Sequence, residues 1–313
     1  MSRVSVVVLC YNKFLETTSR CLASLAKDPE FGAWDVILVD NGSGPETRAL
    51  LHKAQEHYPR IQFVYLEQNV GFPGGMNAGL RIAKGEAVIL VSSDILVPVG
   101  MVRRLAGALD AHPKAGLVGP VTNAAGNEQR IFIPAASNVE QTLELGRKYA
   151  DADGPDCVRA YRLDFCCVGI RRATCEAIGP LDEGFNPGYY EDFDYSLRAA
   201  RAGFELLVVE NAFVYHEGGA TFGSKNKSAK ALMDRNKRRL LQKHGADVRL
   251  PHARDANLSA LTQYADLGLK ASGSAGYRVA NRLNLARADM PRSFLKRWRY
   301  RRRVAALQQR LGV

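Results

Sequence analysis

The chain has 313 residues, 46% of them hydrophobic and 24% charged, a balance that supports a sizeable core and excludes wholesale disorder, a collagen-like repeat or a disulfide-dense miniprotein. Its formal charge of +11 is unevenly spread: residues 221–313 hold 22 of the 43 Lys and Arg but 5 of the 32 Asp and Glu, a local +17 that leaves −6 on the first 220. No apolar run approaches the ~20 residues needed to span a bilayer, and the basic C-terminal third suits an anionic membrane, a nucleic acid or a phosphorylated acceptor.

Met1-Ser-Arg-Val runs into Val4–Cys10 without the charged, apolar and small-residue succession of a signal peptide, so the chain is expected to stay in the cytoplasm. Val4–Cys10, Trp34–Asp40, Ile61–Leu66 and Ala87–Val91 read as strands, each a short apolar run bounded by turn residues. Between them, Phe14–Lys27 places Leu15, Cys21, Leu22 and Leu25 near one helical face, Glu46–His57 is helix-like, and Gly75–Lys84 leads into the next strand. Strand, helix, strand at this spacing implies right-handed crossovers and a mainly parallel sheet, whose ligands sit at the C-terminal strand ends.

Further on, residues 122–127 read as a loop, 139–150 as a helix, 161–170 as a strand, and 171–178 and 191–202 as helices. Glu205–Val209 and Ala212–His216 follow as two closing strands. Beyond about 220 only helices and loops rich in Lys and Arg remain. The expected division is therefore a domain over 1–220, with a nucleotide half to about 120 and an acceptor half from 121, then a basic helical extension over 221–313. The six cysteines (10, 21, 157, 166, 167 and 175) show no CxxC spacing and read as buried free thiols rather than zinc ligands.

Four places have the residue types that chemistry needs. Asn69-Val-Gly71-Phe-Pro-Gly74-Gly75-Met-Asn77-Ala-Gly79 is the densest glycine cluster, and it suits either a phosphate at a helix N-terminus or a flexible loop with a packed helix entry. It matches neither the dinucleotide GxGxxG spacing nor a P-loop. Asp40 and Asp94 stand at strand ends, where a carboxylate can hold a ribose or a cation, though Asp40-Asn-Gly-Ser is also an ordinary turn. In Glu191-Asp-Phe-Asp194-Tyr-Ser-Leu-Arg198, Phe193 and Leu197 give a helix its buried face and Asp194 can pair with Arg198 on the exposed side. Glu191 and Asp192 at that helix start gain from its dipole, which favours their ionised form; they suit a general base or a cap. His216, ending a strand before Gly218-Gly219, suits a metal ligand or a satisfied hydrogen-bonding imidazole.

In this order, Val7-Val-Leu-Cys-Tyr-Asn12, Val39-Asp-Asn-Gly-Ser43, the glycine cluster and Tyr190-Glu-Asp-Phe-Asp-Tyr-Ser-Leu-Arg198 resemble the family 2 inverting glycosyltransferases of GT-A fold, above all bacterial rhamnosyl- and galactofuranosyltransferases. The likeness covers about residues 3–245; His216 and Arg235-Asn236 also fit. The resemblance implies a Rossmann-like α/β domain with Tyr11 and Asp40 at the base and ribose, and Asn69, Gly71 and Asn77 around the diphosphate. Asn12, Asn41, Gly75 and Ser93 lie in the same motifs and are placed with the nucleotide sugar. It also implies that Asp94, matching the last acid of the family's DxD, binds a divalent cation (Mg2+ or Mn2+) with His216. Ser92 stands in place of the first acid, which weakens or removes the metal requirement. Asp192 matches the general base, with Glu191 as its fallback. The implied reaction moves a sugar from a dTDP-rhamnose or UDP-sugar donor to a glycan or lipid-linked acceptor.

The basic run Arg292–Arg303 suggests a membrane-surface helix. At 100° per residue, however, Phe294, Leu295 and Trp298 fall on one side and Val304, Leu307 and Leu311 nearly opposite, so no single amphipathic stripe exists. Nucleic-acid binding is not expected, since no RNP or helix-turn-helix signature is present. A nucleotidyltransferase would need a glycine-rich basic loop after the first strand, where this chain has Tyr11-Asn-Lys-Phe. A glycosyltransferase-like binding protein without turnover is the other rival, because of Ser92.

Overall fold

The computed structural model of the protein describes residues 3–135, 137–218, 227–246 and 248–313. The chain runs β1 (Val4–Cys10), α1 (Thr18–Leu25), β2 (Asp35–Asp40), α2 (Pro45–His57), β3 (Gln62–Tyr65), α3 (Gly71–Ile82), β4 (Ala87–Ser92) and β5 (Ile95–Leu96). It continues with α4 (Met101–Ala111), β6 (Ala115–Thr122), α5 (Val139–Ala150), β7 (Cys157–Arg159), β8 (Cys167–Arg171), α6 (Arg172–Ile178), α7 (Glu191–Arg201) and β9 (Glu205–His216). Helices α8 (Lys227–His244), α9 (Ala253–Asp266), α10 (Ala275–Ala288) and α11 (Phe294–Leu311) complete it.

One nine-stranded sheet runs β3-β2-β1-β4-β8-β6-β9-β5, with β7 on β9. The first four strands are parallel, as the crossovers require. Strand β8 then enters antiparallel between β4 and β6, β6 and β9 are parallel, and β5 and β7 pair antiparallel with β9. The sheet is thus more mixed than the sequence pattern predicts. The period of two is plain in β1: Val6, Val8 and Cys10 face one layer with α1 and α4, while Val7 and Leu9 face the other.

Several expectations need correction. The first helix begins at Thr18, not Phe14, because Asn12 and Lys13 adopt left-handed φ of 53° and 46° and the chain must turn before it can coil; Leu15 is left 61% exposed. Residues 161–166 precede β8 instead of belonging to it. The two closing strands are one, interrupted where Pro120 pairs with Val209 but Val121 with Phe213. That bulge houses the polar Glu210-Asn211 that makes the sequence look broken there. Of the six free cysteines, Cys10, Cys21 and Cys167 are buried and the other three half-buried.

Glu210 points into the interior and joins the C-terminal helices to the sheet. Its Oε1 accepts from Arg282 Nη2 at 2.6 Å with both side chains fully buried, and its Oε2 accepts from the Tyr264 hydroxyl at 2.7 Å and from Tyr149. Arg282 also donates to the Glu128 and Arg130 carbonyls, and Arg278 to those of Tyr149, Ala150 and Pro155. Leu258, Leu261, Val279, Leu283 and Val304 belong to the same apolar cluster as Val7 and Leu9. Residues 253–311 are therefore packed into the core of the α/β domain. The expected boundary at 220–221 and Gly219 lie outside the described residues.

Candidate active site

A cavity of about 680 Å³ opens at the C-terminal edge of β1 and β4, a size suited to a small-molecule ligand. Tyr11 after β1, Asn41 after β2, and Ser92, Ser93 and Asp94 at the end of β4 form one wall. Two-residue β5 sets Ile95 opposite His216 at the end of β9, which brings His216 Nε2 to 3.4 Å from Asp94 Oδ2. Asn123 fixes the His216 backbone through bonds of 2.8 Å to its N–H and carbonyl.

This pair favours positive charge at its centre, a proton on His216 or a cation. His216 Nδ1 lies 3.1 Å from the Ala124 carbonyl, which only accepts, so Nδ1 carries a hydrogen. Nε2 of the neutral ring would then turn a lone pair toward a carboxylate unless positive charge lies between them. Burial opposes a charged ring, but Cys166 and the Asp94 carboxylate outweigh it and push His216 up to about 11. A divalent cation can take the place of that proton, so the donor set fits the cation the sequence predicts. Among the described residues no group of three or more His, Cys, Asp or Glu is arranged to hold a metal; the other ligands of such a cation would be diphosphate oxygens and water. Ser92 lines the same wall with a hydroxyl.

The glycine cluster is built differently from the expectation. Its amides are already engaged: Val70 N–H donates to Asn41 Oδ1, Gly71 N–H to Asn69 Oδ1 and Phe72 N–H to the Pro187 carbonyl, while Pro73 has no N–H. The α3 N-terminus therefore offers no amide from 70 to 73 to a diphosphate. Gly71 lines the cavity at φ +76°, where a Cβ would stand 2.3 Å from Asn186 Oδ1. Gly75 serves packing, since a Cβ there would lie 2.5 Å from Leu9 Cδ1.

Three more assigned binding residues turn away from the cavity. Asp40 is fully buried, accepting from Ser43 N–H at 3.0 Å and from Arg48 Nε at 3.1 Å, and so shapes the turn after β2. Asn77 clamps Leu181 through both its backbone groups and donates to Glu183. Asn12 ties the β1 loop to Ser43 and Gly44. Asn41 and Asn69 line the cavity, but the Asn41 amide is spent on Asn69, Val70 and Gly71.

Across the cavity, α7 begins with Glu191 and Asp192. Burial overrides the helix dipole here. It raises Asp192 to about 6, opposed by Arg162 and reinforced by Asp164. Burial and then Asp192 itself raise Glu191 well above the carboxylate range, and its buried Oε2 has no hydrogen-bond partner. The pair therefore divides into an ionisable Asp192 and a Glu191 that holds its proton and can donate it in a hydrogen bond. Asp192 Oδ1 accepts from its neighbour's Phe193 N–H and Oδ2 from Arg162 Nη1 at 3.0 Å. Arg162 is gripped in turn by Asp164, which accepts from Gly126 N–H at 2.7 Å.

Arg162, Asp164 and Cys166 line the cavity and escaped the sequence reading. Their signal was alternation: they are the second, fourth and sixth members of Tyr161-Arg-Leu-Asp-Phe-Cys166, read only as a strand. The floor comes from Pro187–Tyr190, where Tyr189 and Tyr190 hold left-handed φ of 71° and 74°. Buried Asn236 of α8 secures that loop by sharing its Nδ2 among the carbonyls of Phe185, Gly188 and Tyr189. Asp194, expected on an exposed face, is fully buried and binds Arg198, Lys243 and His244.

A Rossmann-like sheet whose strand ends face a helix-borne acid pair across one cavity defines an α/β domain with a ligand site at the carboxyl ends of its strands. Residues 5–179 match the Glycosyl transferase family 2 domain, and the chain belongs to that family. An N-acetylglucosaminyltransferase of Mesorhizobium japonicum is 31% identical over 223 residues, 67% of this chain and 50% of that protein. The chain thus spans about half the length of such curated relatives, whose name differs from the rhamnosyl- and galactofuranosyltransferases to which the motifs pointed. Among solved structures, the mannosyltransferase PcManGT from Pyrobaculum calidifontis, in complex with GDP-Man and Mn2+, superposes with a TM-score of 0.57 at 19% identity, covering 97% of this chain and 86% of that one. Residues 1–349 of S. aureus TarS, in complex with UDP-GlcNAc, give 0.53 at 18% identity, covering 99% and 81%. These likenesses establish the GT-A fold.

Proposed function

We propose that the chain is an inverting glycosyltransferase that moves N-acetylglucosamine from UDP-N-acetylglucosamine to a hydroxyl of a glycan or lipid-linked acceptor in cell-surface polysaccharide synthesis. The observation that carries this reading is that the Asp94–His216 pair and the Glu191–Asp192 pair open into one cavity. The names of the relatives favour the N-acetylglucosaminyl donor over dTDP-rhamnose. Free thiols suit the cytoplasm, with peripheral attachment to the inner face of an anionic membrane.

In this mechanism Asp192 takes the proton of the acceptor hydroxyl as that oxygen attacks the anomeric carbon. The bond to the diphosphate breaks on the opposite face, its electron pair leaves with UDP, and the configuration inverts. Arg162 holds Asp192 Oδ2 in place, and Glu191 donates a hydrogen bond to a sugar or acceptor oxygen. A divalent cation, Mg2+ or Mn2+, held by Asp94 and His216 would supply positive charge to the leaving diphosphate.

A thermal-shift panel of UDP-N-acetylglucosamine, GDP-mannose and dTDP-rhamnose with Mn2+ tests the donor, since a ligand at 100 times its dissociation constant stabilises by about 2.7 kcal/mol. Stabilisation by UDP-N-acetylglucosamine with UDP release on adding acceptor is expected; a response to dTDP-rhamnose alone overturns the donor, and silence across the panel overturns the reading. Excess chelator is expected to lower transfer at least tenfold, with recovery on adding Mn2+, given that a cation contributes several kcal/mol of charge stabilisation; full activity in chelator removes the cation.

The base must be ionised to work, so kcat/KM is expected to fall as pH drops through about 6, well above an ordinary aspartate. Because the Arg162 guanidinium favours the carboxylate, Arg162→Gln should move this acidic limb upward. A limb that stays put in Arg162→Gln separates Arg162 from the base.

A further inference from the structure

We infer that the first turns of α11 are a docking surface for an anionic lipid bilayer and that they bring the rim of the cavity to the membrane. The two apolar stripes of this helix have separate uses. Tyr300, Val304, Leu307 and Leu311 are buried in the core, whereas Phe294, Leu295 and Trp298 are 80%, 67% and 51% exposed. Three large apolar side chains within about a turn and a half form an exposed patch of the kind that marks an interaction site.

The patch is surrounded by like charge. Arg292, Lys296, Arg299, Arg301 and Arg302 are exposed, and no Asp or Glu follows Asp289. Arg302 stacks on Trp298 with its guanidinium carbon 4.9 Å from the ring centroid. Cations flanking Trp, Phe and Leu match the headgroup and acyl zones of an anionic bilayer, with the charges at phosphate depth and the apolar groups below them. A nucleic acid also offers phosphates, but it has no hydrocarbon layer for Phe294 and Leu295.

The connection to the cavity runs through α10. Asn281 exchanges two hydrogen bonds with the Phe132 backbone, Arg282 grips the Glu128 and Arg130 carbonyls, and Arg130 pairs with Asp289. Gly126 of that same loop lines the cavity. Helix α11 starts five residues after Asp289, a span of roughly 18 Å at most. Phe294 is therefore tethered through Asp289 and α10 to the loop that forms part of the cavity rim, where a lipid-linked acceptor would be presented; only this last step rests on the glycosyltransferase reading.

Co-sedimentation with phosphatidylcholine vesicles, with and without phosphatidylglycerol, tests the surface without requiring catalysis. The full chain is expected to pellet with the anionic vesicles only. F294S/L295S/W298S is expected to partition about tenfold less or weaker still, with unchanged thermal unfolding and unchanged transfer to a soluble acceptor. In Trp34→Phe, Trp298 is the single tryptophan, and its emission should shift to the blue on adding anionic vesicles. Equal pelleting of the triple variant and the parent, no pelleting with either vesicle, or binding of a single-stranded oligonucleotide but not of vesicles overturns the inference. Loss of soluble transfer without loss of vesicle binding bears on the proposed function alone.

Discussion

Asp192→Asn is expected to lower the rate of sugar transfer by about 10²–10⁴-fold, the usual contribution of a positioned base, while leaving donor binding intact. Asparagine keeps the size of the side chain and an oxygen that can still accept from Phe193 N–H or Arg162, so the change removes basicity and little else. Single-turnover transfer measures the first quantity and donor-induced thermal stabilisation the second. Glu191→Gln gives the contrast: its protonated carboxyl is replaced by another donor, so its loss should be smaller. Near-wild-type transfer by Asp192→Asn, or a larger loss in Glu191→Gln, takes the base away from Asp192.

Arg282→Met is expected to destabilise the protein by about 3–5 kcal/mol, the range for stripping one partner from a buried ion pair. Glu210 would be left charged or newly protonated in a site with no exposure, with only two tyrosine hydroxyls as partners. Denaturant unfolding measures the loss. The double variant Glu210→Gln, Arg282→Met should recover part of it, because the uncompensated carboxylate is gone. A change below about 1 kcal/mol in Arg282→Met means that residues 253–311 are not held through this pair.

The parallel half of the fold was legible because its strands are short apolar runs separated by turn residues, and β1, β2 and β4 lie where the pattern places them. The meeting of Asp94 with His216 was implied by the family resemblance, and the structure brings the two side chains to 3.4 Å. Hidden from the sequence was the direction each polar side chain takes. Asp40, Asn77 and Asp194 belong to recognisable motifs, yet they face inward: Asp40 holds the turn after β2, Asn77 the Leu181 backbone and Asp194 the side chains of Arg198 and His244, and the distant partners Leu181 and His244 are not apparent from local sequence. The acid pair was legible, but the balance of forces on it was not: a helix start favours charge, whereas burial raises both carboxyls, Glu191 well above the carboxylate range and Asp192 to about 6. Arg162 went unnoticed because its importance comes from a contact with a residue thirty positions away.

Asn236 gives the C-terminal part a place in the candidate site that its charge does not suggest. With one amide it braces the strained Tyr189–Tyr190 turn ahead of α7, so the approach to the acid pair is held from the C-terminal part of the chain. The working unit consequently extends well past residue 179, where the family domain stops. A fragment ending at Arg198, the last residue of the α7 motif, would retain Asp94 and Asp192 but lose the Asn236 contacts that hold the turn ahead of Asp192.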